Sequence, residues 1–137
     1  MPARGRMDYN APSAYERLIA PRYAAIAEAL VEAADVRAGE HVLELGAGTG
    51  LVTSMVAERV APSGSLCATD LSRGMLELAR ERVDRADVSF VIADYSAQLP
   101  FLDDAFDVVV SGLTYVQNTG DALAEAARVL APGGRSR

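Results

Sequence analysis

The sequence predicts an α/β fold in which short parallel strands alternate with helices that cover both faces of one sheet. The apolar run 42–45 is too short for a helix, is ended by Gly46 and suits a strand buried on both faces. From Leu51 onward the apolar residues recur at helical spacing. The three alternate glycines Gly46, Gly48 and Gly50 are therefore predicted to form a strand-to-helix turn.

The other predicted elements continue this alternation along the chain. Residues 1–13 are polar, with prolines and a glycine, so we expect a flexible N-terminus ahead of one domain over residues 14–137. Helical spacing from Ser13 is interrupted at Pro21, which predicts two helices before the first strand. The later elements are predicted as a helix over 51–60, a strand that ends at Asp70, a helix over 72–83 and a strand over 88–93.

The composition restricts the class of protein and its partners. Half of the 137 residues are hydrophobic, which is enough for the core of one domain. A formal net charge of −6 argues against a surface that binds nucleic acid, because such surfaces need clustered Lys and Arg. Cys67 is the only cysteine, and no apolar run approaches the roughly 20 residues of a membrane span. The sequence therefore predicts a cytoplasmic protein with no nucleic-acid, membrane or metal partner.

The glycine turn is predicted to hold a small molecule. Glycine allows a positive φ and removes the Cβ atoms that keep a ligand away from the backbone, and the N–H groups of the next helix point into the same space. A dinucleotide fingerprint, G-x-G-x-x-G, needs a glycine where Leu51 stands, and no G-K-[ST] follows for a triphosphate. Glu44 precedes the turn, and its carboxylate would repel a pyrophosphate but suits an ammonium or sulfonium charge.

Acidic residues end the second and third predicted strands. In a doubly wound sheet, ligands bind beyond the carboxyl ends of the strands, so Asp70 and Asp94 face the same crevice as the glycine turn. Asp70 can accept hydrogen bonds from both ribose hydroxyls of an adenosine, or can be an N-cap, a role for which Ser72 competes. Asp94 is placed to accept from the adenine amino group. Leu71 and Met75 either cover one face of the adenine or pack in the core.

Three segments resemble the class I S-adenosylmethionine-dependent methyltransferases. V-L-E-L-G-A-G-T-G looks like their glycine-rich signature. A-D-Y-S-A-Q-L-P-F-L-D-D-A-F-D-V-V-V-S is similar to their third-strand aspartate, L-P-F turn, acidic loop and fourth strand. A-L-A-E-A-A-R-V-L-A-P-G-G resembles the helix and turn before their fifth strand, with Leu123 buried and Glu125 and Arg128 on the exposed side. These landmarks cover residues 42–134 and indicate the small-molecule subgroup with L-P-F and R-V-L-x-P-G-G signatures.

The resemblance implies a fold, a cofactor and a reaction. The expected fold is a doubly wound, Rossmann-like α/β sheet in the order 3-2-1-4, with helices on both faces. The expected cofactor is S-adenosyl-L-methionine, and the expected function is methyl transfer to a small-molecule acceptor. Either Tyr15 or Tyr23 lies near the methionine end of the cofactor, unless both pack on the sheet. The residues predicted to bind the cofactor are Tyr23, Glu44, Gly46, Ala47, Gly48, Thr49, Gly50, Asp70, Leu71, Met75, Ala93, Asp94, Tyr95 and Ser111.

The end of the sequence departs from the family pattern. The family fold continues into a fifth strand and further elements, whereas residues 134–137 offer no apolar strand. We therefore expect the strand over 106–110 to be an open, apolar edge of the sheet, and such edges seek a partner. This predicts either a homo-oligomer formed through that strand or a truncated piece of a longer methyltransferase.

No catalytic residue is assigned from the sequence. Methyl transfer from a sulfonium is an in-line displacement that needs a general base only when the acceptor must lose a proton. The sole histidine, His41, precedes the first strand at its amino end and is expected to be structural. Residues 111–115 replace the Asn-Pro-Pro-aromatic signature of amino-methylating nucleic-acid enzymes, and Tyr115 and Asn118 are candidate acceptor contacts. Two alternatives stay open: an NAD(P)-dependent oxidoreductase, and a methyltransferase remnant that binds the nucleoside without catalysis.

Overall fold

One parallel sheet organises the part of the chain that the computed structural model describes, which comprises Arg17 and residues 24–94, 97–111 and 119–137. The elements, in chain order, are α1 (Ala24–Ala34), β1 (His41–Leu45), α2 (Leu51–Val60), β2 (Ser65–Asp70), α3 (Arg73–Arg82), β3 (Val88–Ile92), β4 (Phe106–Ser111), α4 (Thr119–Val129) and β5 (Leu130–Ser136). The strands lie in the order β3-β2-β1-β4-β5, and every neighbouring pair is parallel. None of the helices in these ranges has the length and apolar character that crossing a bilayer requires.

Strand β1 lies in the middle of the sheet because it is apolar on both faces. Leu43 lies opposite Cys67 of β2 and Val109 of β4. Successive side chains of a strand point to opposite faces, so Val42 and Leu43 enter different cores, and both are fully buried. The order β3-β2-β1-β4 confirms the order predicted from the resemblance.

Helices cover both faces of this sheet. On one face, α1 and α2 pack against side chains that include Val42, Leu66 and Val108, and Leu76 of α3 packs against Ala68 of β2. On the other face, Ala126 and Val129 of α4 pack against a second cluster that includes Leu43 and Val109. Burying an aliphatic side chain of this size contributes roughly 1.5–3 kcal/mol relative to leaving it in water.

The helix boundaries follow from the residues at the helix ends. The helix predicted over 51–60 is confirmed as α2. The next helix begins at Arg73 because Ser72 is its N-cap, with the Ser72 hydroxyl accepting a hydrogen bond from the Met75 N–H at 3.2 Å. The predicted flexible segment 1–13 and the helix break at Pro21 lie outside the described residues.

The expectation that the fifth strand is missing is wrong. Residues Leu130–Ser136 form β5, which pairs in parallel with β4. Leu130 lies opposite Phe106 and Arg135 lies opposite Val108. The register therefore shifts here, because a step of two residues along β4 corresponds to a step of five along β5. The P-G-G turn is thus accommodated as an irregularity within the strand and does not end the paired segment.

The pairing continues beyond the end of β5. The Arg137 N–H donates to the Val109 carbonyl at 2.9 Å, and the Ser111 N–H donates to the Arg137 carbonyl at 2.7 Å. Strands are joined by backbone groups, which a polar segment supplies as well as an apolar one. The edge of β4 on which the predicted self-association depended is therefore covered by the chain's own residues.

The side chain of Arg135 ties β5 to the C-terminus of α1. Its guanidinium donates to the Ala34 carbonyl at 3.2 Å and to the Asp35 carbonyl at 3.0 Å. It also donates to both carboxylate oxygens of Glu40, at 2.7 and 3.0 Å. The last carbonyls of a helix lack intrahelical partners and favour a cation. Charge-assisted bonds thus add to the apolar packing of β5, which includes Leu130 against the core cluster of Leu43 and Val109.

We predict that Gly134→Ala loosens β5. A Cβ at this position would lie 2.9 Å from the backbone oxygens of both Asp107 and Ala131, and backbone atoms cannot move aside cheaply. We expect the free energy of unfolding to fall by about 1–3 kcal/mol, measured by urea denaturation followed by circular dichroism. The control is Gly133→Asn, where φ is +80° and a Cβ would meet nothing within 4 Å. Unchanged stability of Gly134→Ala would contradict the close approach of β5 to β4.

Candidate functional site

The turn between β1 and α2 is built from glycines in left-handed backbone conformations. The φ angles are +72° at Gly46, +58° at Gly48 and +96° at Gly50. Residues with a Cβ rarely adopt such angles, so the glycines are what allow the chain to turn here. Gly50 is also the N-cap of α2, and no side chain caps the helix at that position. The predicted strand-to-helix turn is confirmed.

Two glycines of the turn have different surroundings. A Cβ at Gly50 would lie 3.0 Å from the Cα and 3.1 Å from the Cβ of Ala79 in α3. Gly50 therefore allows the turn to approach α3 closely. A Cβ at Gly48 would meet nothing within 4 Å. Gly48 thus presents its backbone to open space, which is the side from which a ligand can approach.

The carboxylate of Asp70 joins the glycine turn to the end of β2. Its Oδ2 accepts a hydrogen bond from the Gly48 N–H at 2.9 Å, and its Oδ1 accepts one from the Ser72 N–H at 2.9 Å. The cap of α3 is Ser72, so Asp70 itself braces the turn. A carboxylate has about four acceptor positions on its two oxygens, so Asp70 retains capacity for hydroxyl groups of a ligand.

The structure brings Asp70 and Asp94 to the same edge of the sheet. Asp70 lies opposite Ile92 in the pairing of β2 with β3. The Ala93 N–H donates to the Asp70 carbonyl at 3.1 Å, and Asp94 follows as an exposed residue. Both aspartates and the glycine turn therefore share the carboxyl edge, where open α/β sheets bind their ligands.

The sequence pattern of the family described as Methyltransferase domain matches residues 42–134. This range contains the glycine turn together with Asp70 and Asp94. The chain belongs to the methyltransferase domain family.

Curated methyltransferases are similar to this methyltransferase domain over most of its length. The ubiquinone/menaquinone biosynthesis C-methyltransferase UbiE of Ectopseudomonas mendocina (strain ymp) is 41% identical over 111 residues, which are 77% of this chain and 43% of that protein. The demethylmenaquinone methyltransferase of Symbiobacterium thermophilum is 39% identical over 104 residues, 72% of this chain and 41% of that protein. The chain thus spans less than half the length of these curated relatives.

A solved structure agrees with the fold of the methyltransferase domain. It is the complex between the Haloferax volcanii Trm112 methyltransferase activator and a methyltransferase. The matching chain superposes with a TM-score of 0.80 at 30% sequence identity, over 95% of this chain and 58% of that chain.

Glu44 of the methyltransferase domain lies beneath the glycine turn and is only 2% exposed. Its Oε1 accepts a hydrogen bond from the Thr53 hydroxyl of α2 at 2.5 Å. The pKa of Glu44 is raised to about 7: burial is the largest cause, the Thr53 hydrogen bond lowers the pKa in part, and the charge of Asp70 contributes a smaller increase. The favourable interaction predicted between Glu44 and a cationic ligand requires the ionised form, which is only partly populated near neutral pH.

The other predicted cofactor residues differ in accessibility. Ala47 and Thr49 are buried in the turn, and Met75 is 2% exposed, which favours the core position for Met75. Leu71 is 58% exposed next to Asp70 and is accessible to a ligand. Ser111 ends β4, opposite the last residue of β1. The residues that lie outside the described ranges are Tyr15, Tyr23, Tyr95, Tyr115 and Asn118.

His41 lies at the amino end of β1, at the edge opposite the glycine turn. Its Nδ1 is 2.6 Å from the Ser65 hydroxyl, and its backbone N–H donates to the Asp107 carboxylate at 2.8 Å. Both partners belong to the first residues of neighbouring strands. These contacts agree with the structural role expected for His41.

Sequence reasoning missed the role of Thr53 and misplaced Glu125 and Arg128. Thr53 lies on the buried side of α2, where its hydroxyl donates to Glu44. Because a buried hydroxyl needs a hydrogen-bond partner, a threonine at a buried helix position could have indicated this pairing from the sequence. The placement of Glu125 and Arg128 on a solvent face is wrong, because their side chains are only 17% and 25% exposed. Leu123, expected to be buried, is instead exposed, whereas Ala126, expected to be buried with it, is buried beside Ala122 and Val129.

We predict that Glu44→Gln flattens the pH dependence of stability. The pKa of Glu44 is higher in the folded chain than its ordinary value of 4.5, so its contribution is complete below about pH 4.5 and is lost as the pH rises through about 7. The loss corresponds to about 3 kcal/mol. The amide oxygen of Gln still accepts from Thr53, so the variant should fold and keep its stability between pH 5 and pH 8.

The free energy of unfolding of wild type and Glu44→Gln, measured by denaturation at several pH values, checks this prediction. Glu58→Gln is the matched control, because Glu58 is an exposed carboxylate on α2. Parallel pH profiles for wild type and Glu44→Gln would show that Glu44 does not titrate in this range.

Proposed function

We propose that residues 14–137 form an S-adenosyl-L-methionine-binding domain that transfers methyl groups to a small-molecule acceptor. The observation that carries the proposal is the convergence of three features at one edge of the sheet. These are the open backbone at Gly48, the carboxylate of Asp70 that braces it, and the exposed Asp94 that follows β3. All three lie within the residues that match the methyltransferase family.

The chemistry of these groups fits an adenosyl ligand with a positive charge. The carboxylate of Asp70 would accept from the ribose hydroxyls, and that of Asp94 from the adenine amino group. The exposed Leu71 would cover part of the base. The ionised form of Glu44 would favour the positive charge of a sulfonium or ammonium group through the turn.

The proposed role of the chain in the reaction is to bind and orient. S-adenosyl-L-methionine supplies an electrophilic methyl group on a sulfonium sulfur. Asp70, Asp94 and the glycine turn would hold the nucleoside so that the methyl group faces the acceptor, and such orientation removes much of the entropic barrier of a two-substrate reaction. The proposal assigns no general base, because the need for one depends on whether the acceptor loses a proton.

The names of the curated relatives suggest the first acceptor to test. One is named a ubiquinone/menaquinone biosynthesis C-methyltransferase, and the other a demethylmenaquinone methyltransferase. We therefore extend the proposal to a carbon atom of a demethylated quinol. The family membership counts against the alternative of an NAD(P)-dependent oxidoreductase, and a non-catalytic remnant is the outcome in which the cofactor binds without turnover.

We expect calorimetric titration to detect binding of S-adenosylmethionine and S-adenosylhomocysteine but not of NAD. Asp70→Asn should weaken both sulfur nucleosides about ten- to a hundredfold, because hydrogen bonds to a charged acceptor are lost. Asp84→Asn is the matched control, since Asp84 is an exposed carboxylate near the C-terminus of α3. Its dissociation constants should equal those of wild type.

Binding of NAD without binding of either sulfur nucleoside would overturn the proposed cofactor. Transfer of a labelled methyl group from S-adenosylmethionine to a demethylated quinol tests the reaction separately. Binding without transfer to any acceptor would favour the non-catalytic remnant.

A further inference from the structure

The segment that follows the site residue Asp94 is fastened to α4 by Glu125 and Arg128 of that helix. Arg128 forms an ion pair with Glu125 within the helix and a second one, at 2.9 Å, with Asp103 of the segment. We define the Arg128 clamp as Arg128 and Glu125 together with the backbone that they hold at Leu99 and Phe101. Arg128 donates to both carboxylate oxygens of Glu125, at 2.7 and 3.0 Å. The same guanidinium donates to the Phe101 carbonyl at 2.8 Å and to the Leu99 carbonyl at 3.1 Å.

The second member of the clamp binds the same backbone. Glu125 Oε1 accepts from the Leu99 N–H at 2.6 Å, so Leu99 is held at both its N–H and its carbonyl. The Asp104 N–H donates to the Arg128 carbonyl at 3.0 Å, which fixes the far end of the segment. The hydrogen bond from Arg128 lowers the pKa of Glu125, so the pair remains charged at neutral pH.

The Arg128 guanidinium bonds to the Glu125 carboxylate and to two backbone carbonyls, whereas an ordinary surface ion pair joins only two side chains. A fork of five N–H donors suits a carboxylate and several carbonyls at once, and this geometry is specific to arginine. Leu99 is also 2% exposed and packs in the core cluster that contains Val129 of α4. Apolar packing and polar bonds therefore fix Leu99 at the same place.

Asp94 lies between two fixed points of the backbone. On one side, the Ala93 N–H donates to the Asp70 carbonyl at 3.1 Å. On the other side, the Ala97 N–H donates to the Asp94 carbonyl at 3.1 Å, and Leu99 is held two residues later by the clamp. Only residues 94–98 separate these fixed points, so the clamp holds the backbone within five residues of Asp94.

We propose that Arg128 and Glu125 are positioning residues that set the selectivity of the site for a purine with a 6-amino group. They act through Asp94 and touch neither the cofactor nor the acceptor. The inference rests on the proposed function, because it assumes that Asp94 accepts a hydrogen bond from the base. Loss of the clamp leaves Asp94 in the chain but releases its backbone from one of the two fixed points.

The test compares two ligands by calorimetry: S-adenosylhomocysteine and its 6-deamino analogue, which carries purine in place of adenine. We expect wild type to bind S-adenosylhomocysteine about tenfold more tightly than the analogue, the value of one hydrogen bond to a charged acceptor. Arg128→Met should reduce this ratio to about twofold or less, with little change in the affinity for the analogue. Arg128→Lys should restore the ratio only in part, because an ammonium group cannot form the same fork.

Arg59→Met is the matched control. Arg59 also forms an ion pair with a glutamate, Glu32, at 2.6 Å, but it joins α2 to α1 away from the clamp. This variant should keep the wild-type ratio. Glu125→Gln is a milder second variant, which replaces Arg128→Met in the test if that variant does not fold. Its amide oxygen can still accept from the Leu99 N–H, but the charge that pairs with Arg128 is lost, so the ratio should fall.

A double-variant comparison separates positioning from general support. Asp94→Ala should lower the ratio of the two affinities to about one. The double variant Asp94→Ala/Arg128→Met should then have the same ratio as Asp94→Ala alone. Equal weakening of both ligands by Arg128→Met would overturn the inference, because a merely structural role affects the whole site. Failure of wild type to bind S-adenosylhomocysteine would instead overturn the proposed function, and the inference with it.

Discussion

The candidate site depends on the hydrogen bonds that the Asp70 carboxylate accepts from two backbone N–H groups. The carboxylate accepts one backbone N–H from Gly48 and one from Ser72, so a single side chain fixes the glycine turn against the start of α3. The left-handed glycines allow the turn but cannot hold it, because they lack side chains that restrict the backbone. Hydrogen bonds to a charged acceptor are stronger than neutral ones and supply that restraint. The turn is therefore ordered before a ligand arrives, which spares the ligand the entropic cost of ordering it.

A second carboxyl group, that of Glu44, lies buried below the turn. Glu44 is buried, its hydroxyl partner Thr53 compensates only part of the lost hydration, and the charge of Asp70 adds repulsion. The folded chain thus keeps an acidic group where ionisation is unfavourable. A ligand that brings positive charge to the turn relieves part of this repulsion, whereas a pyrophosphate adds to it. In the proposed function, the two carboxyl groups would therefore discriminate between ligands by charge.

The sequence was sufficient for the first four strands and the glycine turn, because apolar periodicity and chain-breaking residues are local signals. It was insufficient for β5, whose pairing uses the backbone of a polar segment and whose tether, Arg135, reaches carbonyls about 100 residues earlier. The face of α4 was misjudged for a related reason. Leu123 is exposed while Glu125 and Arg128 turn toward a loop 25–29 residues away, and nothing within the helix itself specifies that partner.

The carboxyl edge of a parallel sheet needs such distant partners. Each strand leaves the hydrogen-bonded ladder at this edge, so the loops that carry ligand groups lose the support of strand pairing. In the described part of the chain, the loop after β1 is fixed by Asp70 from the face that α3 covers, and the loop after β3 is fixed by Glu125 and Arg128 from the face that α4 covers. Neighbouring loops at this edge are thus held by side chains from different elements, a strand in one case and a helix in the other. A substitution at Glu125 or Arg128 can therefore change the spacing of Asp70 and Asp94 although neither residue lies beside these aspartates.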